Sequence, residues 1–185
     1  MARLARISDV EGMLSIQRMN LLSRKKKMPK KDIGNEGFLL FKFSRKKLGK
    51  FVKDRKKHLV LVQAKKKGIV GYMVVHDLDA HAKRHGKWFS GLKIGGKDRE
   101  NIAKNKTFLM YQSARKPGEK GVGRALMEKF FSIARKRKYR FAMCEIAKSP
   151  LRNRRSEQFH KKLGFAPCGH SDEVGFRWTV LIKTL

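Results

Sequence analysis

Three glycines at the spacing G-x-x-G-x-G, in Gly118-Glu119-Lys120-Gly121-Val122-Gly123, run directly into the helix-forming segment Arg124-Ala125-Leu126-Met127. Glycine weakens a helix, so three beside one mark a backbone that turns sharply or admits a close neighbour. A strand, a glycine turn and a helix N-terminus together make an anion site, because free N–H groups and the helix dipole both favour a phosphate. The P-loop string G-x-x-x-x-G-K-[ST] is absent, and the glycine order is the reverse of the dinucleotide pattern G-x-G-x-x-G. The pyrophosphate of coenzyme A, and a turn that holds no ligand, are the readings left open.

Other side chains could handle protons. Glu145 stands in the middle of an apolar run, Phe141-Ala142-Met143-Cys144-Glu145-Ile146-Ala147. A carboxylate is costly there unless used or paired, and burial would raise its pKa toward the working range of a general base. The plainer alternative is a Glu on the solvated face of its strand, paired with an Arg. His160 falls on the apolar face of a short helix, where a neutral imidazole serves as acid or base or simply packs with one satisfied N–H. Tyr111 and Tyr72 are further candidate acids, or sheet residues. His76, Asp77, Asp79, His81 and His85 crowd one polar segment, and the i, i+4 spacing of His81 and His85 suits a metal. Short polar loops carry such spacing by chance, so no metal is expected.

These residues need a frame. Leu4 to Ile7 reads as a first strand, and Ser8 with Glu11 as a capping box for the helix whose apolar positions include Val10, Met13 and Leu14. The basic stretch 24–31 reads as an exposed loop, and Ser44 as the cap of a helix over 45–56. Runs 59–64 and 69–75 form a hairpin around Lys65-Lys66-Lys67-Gly68. Residues 76–106 read as a long irregular insertion with Trp88-Phe89 as its apolar anchor. A strand at 107–113, an amphipathic helix at 122–137, a strand at 141–147, a helix ending at Gly164 and a last strand through Phe176, Trp178, Val180 and Ile182 complete a mixed α/β domain spanning 1–185. No internal repeat is present.

The 185 residues suffice for one core, and 41% hydrophobic content excludes a disordered chain. No apolar run approaches the roughly 18 residues that cross a bilayer. The start has no apolar signal segment, so a cytoplasmic location is expected. Two cysteines, Cys144 and Cys168, make no disulfide framework and read as buried apolar residues. The outlying feature is charge: 47 Lys and Arg against 15 Asp and Glu, formally +32. Such an excess attracts polyanions and disfavours a strongly cationic ligand, such as a polyamine, at low ionic strength.

A second segment gives the glycine turn a context. Asn153-Arg154-Arg155-Ser156-Glu157-Gln158-Phe159-His160-Lys161-Lys162-Leu163-Gly164-Phe165 resembles the N-x-x-[AS]-x-x-[FL]-Y-x-x-L-G-F element of the GNAT superfamily of acyl-CoA N-acyltransferases. The glycine turn resembles that superfamily's [QR]-x-x-G-x-[GA] element, with Gly118 at the [QR] position. The two come in the family's order, separated by a helix and a strand, and the layout agrees from residue 4 to 185. Trp88-Phe89-Ser90, Cys144-Glu145 and Phe159-His160 further resemble a bacterial and archaeal branch of predicted acetyltransferases that has no assigned acceptor.

The resemblance implies a mostly antiparallel central sheet flanked by helices, the acyl-CoA N-acyltransferase fold. It also implies acetyl transfer from acetyl-CoA to a primary amine by direct attack in a ternary complex. Gly118, Glu119, Lys120, Gly121, Val122, Gly123 and Arg124 would wrap the pyrophosphate. The backbone of Tyr111, Gln112 and Ser113 would pair with the pantetheine arm, and Asn153 would contact it. Glu145 would be the base. His160 stands where the family has a Tyr that protonates the leaving thiolate. The charge also supports a rival reading, a non-catalytic module on the same fold that contacts RNA or the ribosome.

Overall fold

The computed structural model describes residues 1–185 as one eight-stranded sheet with helices on both faces. In chain order the elements are β1 (Ala2–Leu4), α1 (Val10–Asn20), α2 (Lys30–Glu36), α3 (Arg45–Lys53), β2 (His58–Lys65), β3 (Gly68–Asp77), α4 (Leu78–Arg84) and α5 (Gly86–Gly91). There follow β4 (Lys93–Ile94), α6 (Gly96–Lys104), β5 (Thr107–Arg115), α7 (Val122–Lys136), β6 (Phe141–Ser149), α8 (Arg154–Lys162), β7 (Ala166–Glu173) and β8 (Phe176–Thr184). The strand order is β1-β2-β3-β5-β6-β8-β7-β4, and every neighbouring pair is antiparallel except β5 with β6. A parallel pair needs a long crossover, which α7 supplies.

Strand alternation sends side chains to two cores. Leu59, Leu61, Met73 and Val75 meet the apolar stripe of α7, where Val122, Leu126, Met127, Phe130 and Ala134 are buried. Val60, Val62, Tyr72 and Val74 point the other way, onto Val10, Met13 and Ile16 of α1 and Leu48, Phe51 and Val52 of α3. Strands covered on both faces read as continuous apolar runs rather than alternating ones. Ser44 caps α3 as expected, its Oγ accepting from the Lys47 N–H at 3.2 Å.

Several elements depart from the sequence reading. Residues 76–106 are not irregular: β3 runs on to Asp77, and α4, α5, β4 and α6 follow. Leu78, Leu92 and Ile102 from this segment cover Leu109, Met143 and Val180, the part of the sheet that α1 and α3 do not reach. Part of the basic loop is α2, and β7 was not anticipated. The first helix starts at Val10 without a Ser8 cap; Asp9 instead accepts from the Arg6 N–H at 2.7 Å and pairs with Arg3. Cys144 is buried and Cys168 half-buried, and both are free. No helix is long and apolar enough to cross a membrane.

Candidate active site

The parallel pairing of β5 with β6 lasts four rungs, from Thr107↔Phe141 to Met110↔Cys144, and then stops. The cause lies on the other side of β5. Against β3, Val74 faces Gln112 but Val75 faces Met110, so Tyr111 is an extra, bulged residue. A bulge bends its strand and increases the local twist. Beyond it β5 turns away from β6, and from Tyr111 onward one edge of β5 has no strand partner. A cleft opens between the two strands and widens into a cavity of about 880 Å³.

The glycine turn closes one end. Gly118 (φ 81°) and Gly121 (φ 74°) are both left-handed, a conformation that costs other residues, and Gly121 is the N-cap residue of α7. The backbone N–H groups of Lys120, Gly121, Val122, Gly123 and Arg124 donate to no acceptor in the protein. Orphan donors at a helix start, with the dipole behind them, are the donor set a diphosphate needs. Close packing explains the third glycine, because a Cβ on Gly123 would stand 3.1 Å from the Phe159 ring of α8.

Glu145 lies on β6 at the first position past the parallel rungs. Trp88 of α5 donates its Nε1–H to Oε2 at 3.0 Å, and the buried Ser171 of β7 donates its Oγ–H to Oε1 at 2.5 Å. Burial raises the pKa of Glu145, the two hydrogen bonds oppose the rise, and the charge of Glu173 adds to it. The expected alternative, a solvated Glu paired with an Arg, does not describe this residue. Tyr111 faces the same cavity, its hydroxyl makes no hydrogen bond within the protein, and burial raises its pKa.

The thirteen residues that the resemblance placed at the site all line this one cavity: Tyr111, Gln112, Ser113, Gly118 through Arg124, Glu145, Asn153 and His160; Tyr72, the other candidate acid, is buried away from it. Several are also committed to holding its walls. The Gln112 Nε2–H donates to the Phe41 carbonyl at 2.8 Å, while its Oε1 accepts from the buried Tyr72 hydroxyl at 2.6 Å. Asn153 caps α8, its Oδ1 accepting from the Ser156 N–H at 3.2 Å and its Nδ2–H donating to the Phe38 carbonyl at 3.1 Å. His160 is buried, which lowers its pKa, and its Nδ1–H donates to the Ser156 carbonyl at 2.7 Å. That bond fixes the tautomer and leaves Nε2 of the neutral ring as an acceptor. The histidine-rich segment divides: Asp77 caps α4 and accepts from Tyr139, His76 bonds to His58 at 2.7 Å, and His81 and His85 reach the cavity wall.

Charge is distributed unevenly along the cavity. Arg115, Lys120, Arg124 and Arg155 line the end near the glycine turn. Of the four carboxylates on the wall, Glu36 and Glu119 are ion-paired with Lys25 and Lys65, whereas Glu145 and Glu173 have no cationic partner. Rings stand beside those two: Trp88 and Tyr111, and Trp178 stacked on Phe41 at 6.1 Å between centroids.

Solved structures share this architecture over the full length of the chain. A ribosomal-protein-alanine N-acetyltransferase from Brucella melitensis superposes with a TM-score of 0.63 at 18% identity, covering 100% of this chain and 99% of that one. This is the GNAT fold. Two further structures with the GNAT fold were solved with ligands. PaiA N-acetyltransferase from Thermoplasma acidophilum, in complex with coenzyme A, superposes with a TM-score of 0.65 at 15% identity, over 100% of this chain and 98% of that one. YncA, a putative acetyltransferase from Salmonella typhimurium with acetyl-CoA, gives a TM-score of 0.64 at 16% identity, over 100% and 93%. No protein-family model and no curated protein matches the sequence.

Two groups that hold Glu145 had no role assigned from the sequence. Trp88 was legible as an apolar anchor and, within Trp88-Phe89-Ser90, as part of the resemblance, but not as a donor to the carboxylate. Ser171 carried no signal at all, since 26 residues separate it from the carboxylate it holds.

Proposed function

We propose that this chain transfers an acetyl group from acetyl-CoA to a primary amine by direct attack in a ternary complex. One observation carries the reading: a single continuous cavity has orphan amides and free cations at one end and a partnerless, hydrogen-bonded carboxylate at the other. The orphan N–H groups from Lys120 to Arg124 suit a diphosphate, and Arg115 and Arg155 add positive charge nearby. The unpaired edge of β5 beyond the bulge offers backbone groups to an extended arm. Acetyl-CoA supplies, when bound, an acetyl group activated as a thioester.

The residues of the chain divide the remaining work. Glu145 is the general base. Its raised pKa makes it a better proton acceptor than an ordinary carboxylate, and Trp88 and Ser171 keep it ionised and oriented. We assign acid catalysis to Tyr111 rather than His160, because the Nδ1 proton of His160 is bound to the Ser156 carbonyl and Nε2 has none to give. The raised pKa of Tyr111 keeps its hydroxyl protonated, and that hydroxyl is free of internal bonds. Glu145 and Glu173 set the local field at the acceptor end, so a positively charged amine is attracted there despite the net charge of the chain.

The test is a screen of amine acceptors with labelled acetyl-CoA. It should include N-terminal peptides, since ribosomal-protein-alanine N-acetyltransferases are among the proteins that share the fold. Acetyl-CoA should raise the melting temperature, and at a hundredfold excess over Kd the stabilisation is about 2.7 kcal/mol. Glu145→Gln should keep that stabilisation and lose about 10²–10⁴-fold in turnover, the usual share of a general base. A melting curve indifferent to acetyl-CoA would refute the proposal. It would leave the RNA-associated module as the better account of the charge.

A further inference from the structure

The cations lining the cavity stand beside carboxylates or beside the amides assigned above to a diphosphate. A second concentration of positive charge, at the opposite end of the sheet, faces no such site and is largely without carboxylate partners. Where β5 and β6 begin, three turns lie edge to edge, at 53–57, 104–106 and 135–140. Short bonds stitch them together. Arg137 Nη1–H donates to the Arg55 carbonyl at 3.1 Å, and the Arg140 N–H donates to the Lys106 carbonyl at 2.9 Å. The Tyr139 hydroxyl donates to Asp77 at 2.6 Å, and the Asp77 N–H donates to the Lys57 carbonyl at 2.9 Å.

These turns carry eleven lysines and arginines, ten of them exposed, against one acidic residue, Asp54. Among the eleven, only Lys57 and Lys104 have carboxylate partners. The backbone that bears the charges is tied down, so the patch is preformed rather than a loose tail. It also lies away from the cleft, so an anionic cofactor does not account for it.

We propose that this pole docks the phosphate backbone of folded RNA. The makeup of the patch selects among polyanions. None of the exposed large apolar side chains of the chain, Met1, Ile7, Met19, Phe41 and Val174, falls in the three turns. A lipid surface is held durably by charge together with an apolar insertion, which the pole lacks. A protein interface is anchored by buried aromatic or apolar side chains, also missing here. Duplex DNA is read by a helix or ribbon that projects into the major groove, and no element projects from this end. Folded RNA presents closely spaced phosphates and a wide, shallow minor groove that a blunt basic surface can meet. Recognition is then by backbone and shape, without base preference. The inference is independent of acetyl transfer.

The experiment is fluorescence anisotropy of the full chain with a labelled 20-base-pair RNA duplex (about two turns) across a salt series, read as log K against log salt. Replacing Lys53, Lys56, Lys106 and Lys136 together by Gln should make the slope shallower by about 3 and weaken binding near 0.15 M salt by about a hundredfold. These side chains are exposed and make no internal hydrogen bond or ion pair, so an unchanged melting temperature is expected and verifies folding. The comparison variant replaces Lys26, Lys27, Lys30 and Lys31, an equal charge loss at the other end, and should keep the wild-type slope. Equal losses in both variants would mean diffuse attraction and overturn the proposal. So would absent RNA binding, equal affinity for a DNA duplex of the same length, or displacement of the RNA by vesicles rich in phosphatidylserine.

Discussion

Replacing Trp88 with Phe removes the indole N–H together with part of the bicyclic ring, and keeps one aromatic ring at the site. The indole N–H is one of two donors holding the Glu145 carboxylate, at 3.0 Å from Oε2. A hydrogen bond to a charged acceptor contributes about 1.5–3 kcal/mol, and this one favours the ionised form. Burial already raises the pKa of Glu145 and the two donors restrain it, so removing one lets it rise further. A base must be deprotonated to work. The variant should therefore lose activity on the acid side of the pH–rate profile, where kcat/KM falls by roughly ten- to a hundredfold. At pH values well above the Glu145 pKa the loss should disappear. The assay is kcat/KM for labelled acetyl transfer across pH, with a melting curve to verify folding. A loss of the same size at every pH would refute the reasoning, because it would make Trp88 a packing residue and its N–H irrelevant to the proton on Glu145.

Three further outcomes are expected. Gly121→Ala places a β-carbon on a left-handed residue (φ 74°), costs about 1 kcal/mol in stability and should weaken stabilisation by acetyl-CoA, as melting with and without cofactor would measure. Gln112→Met leaves the buried Tyr72 hydroxyl without its partner and should cost about 1–3 kcal/mol; adding Tyr72→Phe should recover part of the loss in denaturant unfolding. Glu157 is held down to about 2 by Arg152 and also bonds Lys161, so its contribution should be complete above the ordinary Glu range and lost as pH falls toward 2; after screening at exposed Arg152, Glu157→Gln should cost about 1–2 kcal/mol in neutral solution and nothing at strongly acid pH.

What could be read in the sequence was local. The glycine turn and Glu145 were visible because the evidence for each sits within ten residues: three glycines before a helix, a carboxylate inside an apolar strand. The stripe of α7 and the β2–β3 hairpin were visible for the same reason. The insertion was misread because its apolar residues are sparse. Leu78, Leu92 and Ile102 look isolated along the chain and become a layer only when the sheet offers Leu109, Met143 and Val180 to cover. β7 escaped because Ala166-Pro167-Cys168-Gly169-His170-Ser171-Asp172-Glu173 has no apolar alternation, being held by its pairing with β8 rather than by burial. The tautomer of His160 depends on a carbonyl one helical turn away, which no motif encodes.

The four rungs between β5 and β6 are the sole strand pairing between one half of the sheet, β1-β2-β3-β5, and the other, β6-β8-β7-β4. The molecule is in that sense two plates sharing a short hinge seam, with α7 as a strap. Glu145 belongs to one plate and Tyr111 to the other, so their relative position is set by the angle at which the plates lie. A ligand wedged along the open part of the seam would touch both plates at once and so fix the distance between Glu145 and Tyr111, which the four rungs alone hold from one end.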